Sequence, residues 1–307
     1  MLSSIWKQYR PKSMADFFCM GFTIGAFPTV IIHGWFILLP ALLPKDSGLY
    51  LANLIFMFFL WINVVMNYFL AMTVNTSTKQ LAQPVVAQEG LVYCQLCQAY
   101  APTRTYHCPL CNICVIRRDH HCFFTGKCVG LQNHRYFIMF VIYALLGCSY
   151  GLILSLMFAS QQDGGYSWRV PFSLLLPMLA FSTGQMIINP IFAFLAAFAF
   201  AGTVASLVYL SLQFRALQKG QTFYEWQRGI FAYDKGVIEN LKELLGTNWW
   251  ICWLFPLLSS PLPTDGSNYA PLPPSYQDIH EPNVGDFSVN AFSDPEGQGQ
   301  VHRRRVH

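Results

Sequence analysis

Four stretches of this chain run long without a charged side chain. No charge interrupts the sequence between Asp16 and Lys45, and residues 49–73, 136–159 and 190–213 are equally free of it. Each matches or exceeds the roughly 20 apolar residues a helix needs to cross a bilayer, so the pattern predicts four spanning helices. The first is too long for a removable leader and lacks a small-residue cleavage site. A short polar turn, Pro44 to Gly48, joins it to the second. Between Arg169 and Arg215 lie 45 uncharged residues, too many for one helix and few for two plus a turn. Pro171, Pro177, Gly184, Asn189 and Pro190 break the first half. The fourth span therefore falls at 190–213, with 170–188 a re-entrant or interfacial segment on the lumenal side; the alternative, a fifth span, would put 215–247 on the opposite side from the cysteine-rich loop.

Charge sets the orientation. Four spans put 17 of the 19 Lys and Arg on one side, leaving Lys45 and Arg169 across the membrane. The positive-inside rule makes the rich side cytosolic, with both termini and the loop 74–135 there. The charged fraction of 11%, against about 25% in soluble chains, agrees with a bilayer as solvent. No basic tract interleaved with aromatics points to nucleic acid as a partner. The expected fold is an all-α integral membrane protein of four transmembrane helices, with a small cytosolic cysteine-rich domain between helices 2 and 3. The division is 1–73 (N-terminus, helices 1 and 2), 74–135 (cysteine-rich domain), 136–214 (helices 3 and 4), 215–262 and 263–307. Three tryptophans in 248–262 suit the headgroup boundary. From Pro263 the Pro-, Gly- and Ser-rich composition predicts a disordered tail. No internal repeat is evident.

Chemistry concentrates in 74–135. Seven of the ten cysteines lie there, as Cys94-x2-Cys97, His107-Cys108-x2-Cys111-x2-Cys114, Asp119-His120-His121-Cys122 and Cys128. Ligands two residues apart reach one tetrahedral zinc because a tight turn aims both side chains at the same point. A secreted disulfide framework would spread its cysteines over several loops. So short a polar loop also has little apolar material for a core and needs a staple. Seven cysteines and four histidines (His107, His120, His121, His134) offer eleven ligands; two closed zinc sites take eight, and three remain. A spare cysteine beside a spare histidine, with an acid just before, makes an activated thiol nucleophile. Asp119-His120-His121-Cys122 supplies all three parts in four residues.

With these residues in view, the chain resembles the DHHC-type protein S-acyltransferases. The Asp-His-His-Cys run, the upstream Cys/His spacing, Cys128, Asn133 and Phe137 match that family's cysteine-rich domain, as does its place between the second and third spans. Thr222 and Glu225 look like its Thr-Thr-x-Glu element, and Tyr233 to Asn240 like its C-terminal motif. The resemblance implies one zinc on Cys94, Cys97, His107 and Cys114 and another on Cys108, Cys111, His121 and Cys128. It implies Cys122 as nucleophile, His120 as base and Asp119 as its orienter, and leaves His134 as a surface or interfacial residue. The implied reaction carries a palmitoyl group from acyl-CoA, the co-substrate, through Cys122 to cysteines of substrate proteins, in an ER or Golgi membrane. Arg104, Arg117, Arg118 and Lys127 are candidates for the phosphates of CoA.

Three positions depart from the family pattern. Phe123-Phe124 stands where Pro-Trp is common, and Ala101 where a basic residue is frequent. Phe223 replaces the second Thr, removing a hydroxyl expected to help hold Asp119. These departures frame an alternative: a catalytically weak or inactive zinc-stapled scaffold that recruits partners through its tail. That tail contains Pro273-Pro274-Ser275-Tyr276, and such Pro-rich extended segments dock on WW domains.

Overall fold

The computed structural model describes residues 10–78 and 90–271. Four helices are long and apolar enough to cross a membrane: α1 (Met14–Leu42), α2 (Gly48–Thr73), α3 (His134–Gln162) and α6 (Pro190–Gln218). The chain is an integral membrane protein. A capping box starts α1: the Ser13 hydroxyl accepts the Asp16 N–H, and the Asp16 carboxylate accepts the Ser13 N–H. α3 packs between α2 and α6. α1 leans on α2, where the Trp61 indole N–H donates to the Phe27 carbonyl at 2.9 Å. It leans on α6 through Phe22 against Phe198 and His33 against Phe192.

Helix length places the site. The 29 residues of α3 and of α6 rise about 43 Å at 1.5 Å each, more than the roughly 30 Å of hydrocarbon. Their ends overhang the apolar slab, and one overhang of each meets the cysteine-rich domain. At the opposite end, the broken stretch forms α4 (Arg169–Leu175) and α5 (Pro177–Ser182), both too short to cross. Val170, Leu174 and Ile188 there pack on Ala159, Ala193 and Ala196. Asn189 then caps α6, and Pro190 opens it, where a missing N–H costs nothing.

The chain is mostly helical, and among the described residues its strands all lie in the cysteine-rich domain. They are β1 (Leu91–Cys94), β2 (Ala99–Pro102), β3 (Thr105–Cys108), β4 (Ile113–Ile116), β5 (His120–Cys122) and β6 (Lys127–Val129). They pair as three antiparallel hairpins. Each hairpin turns through a left-handed residue: Gln98 (φ 50°), Asn112 (φ 51°) and Gly126 (φ 60°). Those three positions are evenly spaced by 14 residues. An internal repeat is thus present where none was evident in the sequence, because only a few side chains per unit carry it.

The C-terminal elements wrap this domain. α7 (Phe223–Gln227) and α8 (Val237–Leu245) follow α6. Residues 248–258 tuck beneath, with Cys252 packed on Leu244, Leu245, Ile138 and Tyr143. Trp250 and Trp253 stay exposed, as suits a headgroup boundary. Residues 263–271, expected as the start of a disordered tail, lie against the domain instead. Buried Tyr269 donates its hydroxyl to Glu243 (2.6 Å), and its carbonyl accepts from the Thr103 hydroxyl (2.7 Å). One aromatic anchor outweighs a composition that carries no packing signal. Pro273, Pro274 and Tyr276 lie outside the described residues.

Candidate active site and metal centres

Two ligand clusters form, each of three sulfurs and one imidazole: Cys94, Cys97, His107 and Cys114, then Cys108, Cys111, His121 and Cys128. Each ligand of the second set lies 14 residues beyond its counterpart, the period of the hairpins. A zinc with Zn–S near 2.3 Å and Zn–N near 2.0 Å sets tetrahedral edges of about 3.5–3.8 Å. His107 Nδ1 lies 3.7, 3.3 and 4.0 Å from the sulfurs of Cys94, Cys97 and Cys114. His121 Nδ1 lies 3.8, 3.3 and 3.8 Å from those of Cys108, Cys111 and Cys128. The donor sets fit zinc, in closed sites with no position left for substrate.

The repeat also explains the spare thiol. Cys94, Cys108 and Cys122 each end the first strand of a hairpin. In the third unit Thr125 stands where Cys97 and Cys111 stand in the first two, so the third knuckle has no second sulfur. Cys122 is buried where Ala71 of α2, Phe137 and Val141 of α3 and Tyr209 of α6 converge. It sits at the junction between the cysteine-rich domain and the helical bundle.

Beside it, His120 Nδ1 lies 2.8 Å from Asp119 Oδ2, leaving Nε2 for the thiol. Asp119 is buried and accepts further from the Phe223 backbone N–H (2.7 Å) and from Gln213 Nε2 (2.8 Å). Burial opposes ionisation of Asp119, but His134, the His120 hydrogen bond and the Phe223 N–H hold its carboxyl well below the usual range. Burial alone would lower His120; the Asp119 and Cys122 partners raise it to about 9. Burial pushes the Cys122 thiol up, and hydrogen bonds from His120 and Thr125 outweigh it, bringing it below its ordinary value. The arrangement favours a thiolate paired with an imidazolium.

Several expectations need correction. Phe223 lacks the threonine hydroxyl, yet Asp119 is held by the backbone N–H at that position. His134 is not a surface residue: it is buried, with Nε2 4.0 Å from Asp119 and Nδ1 3.3 Å from Arg117. Arg104 is not available to phosphate. Wholly buried, it bonds Glu225 through Nε (2.7 Å) and Nη2 (2.9 Å) and Glu243 through Nη1 (2.9 Å), under the Tyr233 ring. Arg117 is buried too, with Nε 3.2 Å from Glu243. Arg118 and Lys127 are half-buried. Arg118 lies over the Tyr224 ring.

The supporting motif residues act as joints. Asn133 Nδ2 donates to the carbonyls of Ala71 (2.8 Å) and Cys128 (3.1 Å), pinning the end of α2 to β6 and the start of α3. Thr222 and Glu225 form a capping box that starts α7. Asn240 Nδ2 donates to the Leu217 carbonyl at 3.0 Å, tying α8 to the end of α6. Tyr209 and Gln213, bonded to each other at 2.7 Å, escaped the sequence reading. Their signal is two polar residues four apart at the end of an apolar helix, sharing one face.

A Cys–His–Asp set lies at the mouth of four membrane helices, beside two Cys₃His clusters that fit a metal. A family model described as DHHC palmitoyltransferase matches residues 87–230. The chain is 36% identical over 197 residues to a probable palmitoyltransferase ZDHHC24 of Danio rerio, covering 62% of this chain and 67% of that protein. Against the Homo sapiens protein of the same name the identity is 34% over 185 residues, covering 59% and 64%. A palmitoyltransferase ZDHHC22 of Rattus norvegicus is 29% identical over 129 residues, covering 41% and 49%. The chain belongs to the DHHC palmitoyltransferase family, whose enzyme class is protein S-palmitoyl transfer.

Proposed function

We propose that this chain moves a long-chain acyl group, palmitoyl, from acyl-CoA to cysteines of other proteins through a Cys122 acyl-enzyme. The observation that carries the reading is the Asp119–His120 hydrogen bond next to the buried Cys122 thiol, where the helices meet the cysteine-rich domain. His120 takes the thiol proton, and the Cys122 thiolate attacks the thioester carbonyl. The new C–S bond forms as the bond to CoA breaks, and His120 returns its proton to the departing sulfur, so that CoA leaves as the thiol and the imidazole is neutral again. A substrate cysteine then gives its proton to His120 and attacks the Cys122 thioester, releasing the Cys122 thiolate. Asp119 fixes the His120 tautomer and stabilises its cation throughout. One thioester replaces another, so little net energy is needed and catalysis rests on positioning and thiolate formation.

Each buried CH₂ contributes about 0.8 kcal/mol, so the acyl tail lies among the helices with its thioester at their mouth. The zincs are structural, held by the eight ligands above, and enter no step. With Arg104 and Arg117 committed to internal pairs, Arg118 and Lys127 are the candidates for CoA phosphates. The charge asymmetry supports a cytosolic active site, in an ER or Golgi membrane, where substrate cysteines near the membrane surface reach it. Labelled palmitoyl-CoA should acylate the wild type in a hydroxylamine-labile bond and leave Cys122→Ser unlabelled. Label persisting on Cys122→Ser would refute the assignment.

A further inference from the structure

The first turn of α1 reaches the second metal centre. Asp16 is buried, and its two carboxylate oxygens do different things. Oδ2 accepts the backbone N–H groups of Lys12 (2.7 Å) and Ser13 (3.1 Å), which completes the capping box. Oδ1 is not needed for the cap and lies 3.2 Å from His121 Nε2. The opposite nitrogen of that ring, Nδ1, faces the three sulfurs of its cluster. One turn further along the same face, Met20 covers Gly126 so closely that a Cβ on the glycine would fall 2.4 Å from the Met20 sulfur. Two side chains of α1 thus grip the hairpin β5–β6, which carries Cys122 between His121 and Gly126.

We propose that Asp16 is a positioning residue of the second zinc centre, its Oδ1 fixing the tautomer and orientation of His121, so that α1 holds the catalytic hairpin. A ligating histidine that donates its free N–H to a carboxylate is both oriented and made a better donor. Here the carboxylate comes from a membrane helix more than 100 residues away in the chain. The inference rests on zinc occupying the two clusters and is independent of acyl transfer.

The test uses the full-length protein, purified in detergent, with zinc release to a chromogenic chelator followed in time. Wild type should hold two zincs. In Asp16→Asn one of the two should leave faster, by about 10- to 100-fold if the loss of affinity typical for such partners is expressed in dissociation. The other should leave at its wild-type rate. Ser13→Ala removes the hydroxyl half of the cap without touching Oδ1 and should leave both rates unchanged. If Asp16→Asn is not recovered folded, Asp16→Ser gives the same readout. Wild-type rates for both zincs in the Asp16 variant would overturn the proposal. So would an equal acceleration in Ser13→Ala, which would assign the effect to capping. A wild type holding two zincs in either case leaves the metal reading standing, and a wild type without them removes both.

Discussion

Asp119 is the acid around which the site's polar side chains gather. It receives His120, Gln213 and the Phe223 N–H, with Tyr209 and His134 near by. Asp119→Asn should lower the rate of autoacylation by about 10³- to 10⁴-fold, as when an orienting carboxylate is neutralised in other triads, at unchanged zinc content. A pH titration checks the cause. Alkylation of Cys122, followed by mass spectrometry, tracks the thiolate and so rises with pH through the depressed thiol pKa. In Asp119→Asn the imidazolium loses its partner, the thiolate loses the imidazolium, and the midpoint should move to higher pH. An unmoved midpoint would separate Asp119 from thiol activation. Arg104 makes a contrasting case. Arg104→Met strands Glu225 in the interior and takes one of several partners from Glu243, and breaking a buried pair costs about 3–5 kcal/mol, so the purified protein should melt markedly earlier. Arg118→Ala should leave the melt alone and raise the KM for acyl-CoA.

Elements reach the site through their ends. α7 delivers the backbone N–H of its first residue, Phe223, to Asp119, and this makes a sharp prediction. Proline is well tolerated at the first position of a helix, and Thr222 already has the extended backbone (ψ 165°) that precedes proline comfortably. Phe223→Pro should therefore keep α7 while deleting the donor. A hydrogen bond to a charged group contributes about 1.5–3 kcal/mol, or roughly 10- to 100-fold in rate. Phe223→Ala keeps the N–H and should retain most activity. Equal activity in the two variants would show that the donor is dispensable. The same element shows what one dimension hides: a missing hydroxyl is visible there, and a backbone N–H is not. The spans and ligands were legible because an uncharged run and a CxxC are local patterns. Arg104 and Arg117 were not, since a buried arginine and a solvated one look alike until Glu225 and Glu243 arrive from 121 and 139 residues away from Arg104. His134, Tyr209 and Gln213 were missed for the same reason. The 14-residue repeat was legible in principle, because the ligand spacing alone contains it.

Across the whole molecule, one end of the helical bundle carries everything. α1, α2, α3 and α6 all present an end to the cysteine-rich domain, which the C-terminal elements cover from its other side. This geometry ties the ends of the spans to the two ligand clusters and to Cys122. Because the two Cys₃His clusters hold together three hairpins with little apolar core of their own, stripping zinc should abolish acylation and expose the domain to proteolysis while the spans stay helical. The measurement that bears most directly on the account is autoacylation of the purified protein by labelled palmitoyl-CoA, with Cys122→Ser alongside and zinc counted in both. The account predicts hydroxylamine-labile label on the wild type, none on Cys122→Ser, and two zincs in each. A wild type that holds both zincs and takes no label, or a Cys122→Ser protein that takes it, would contradict it.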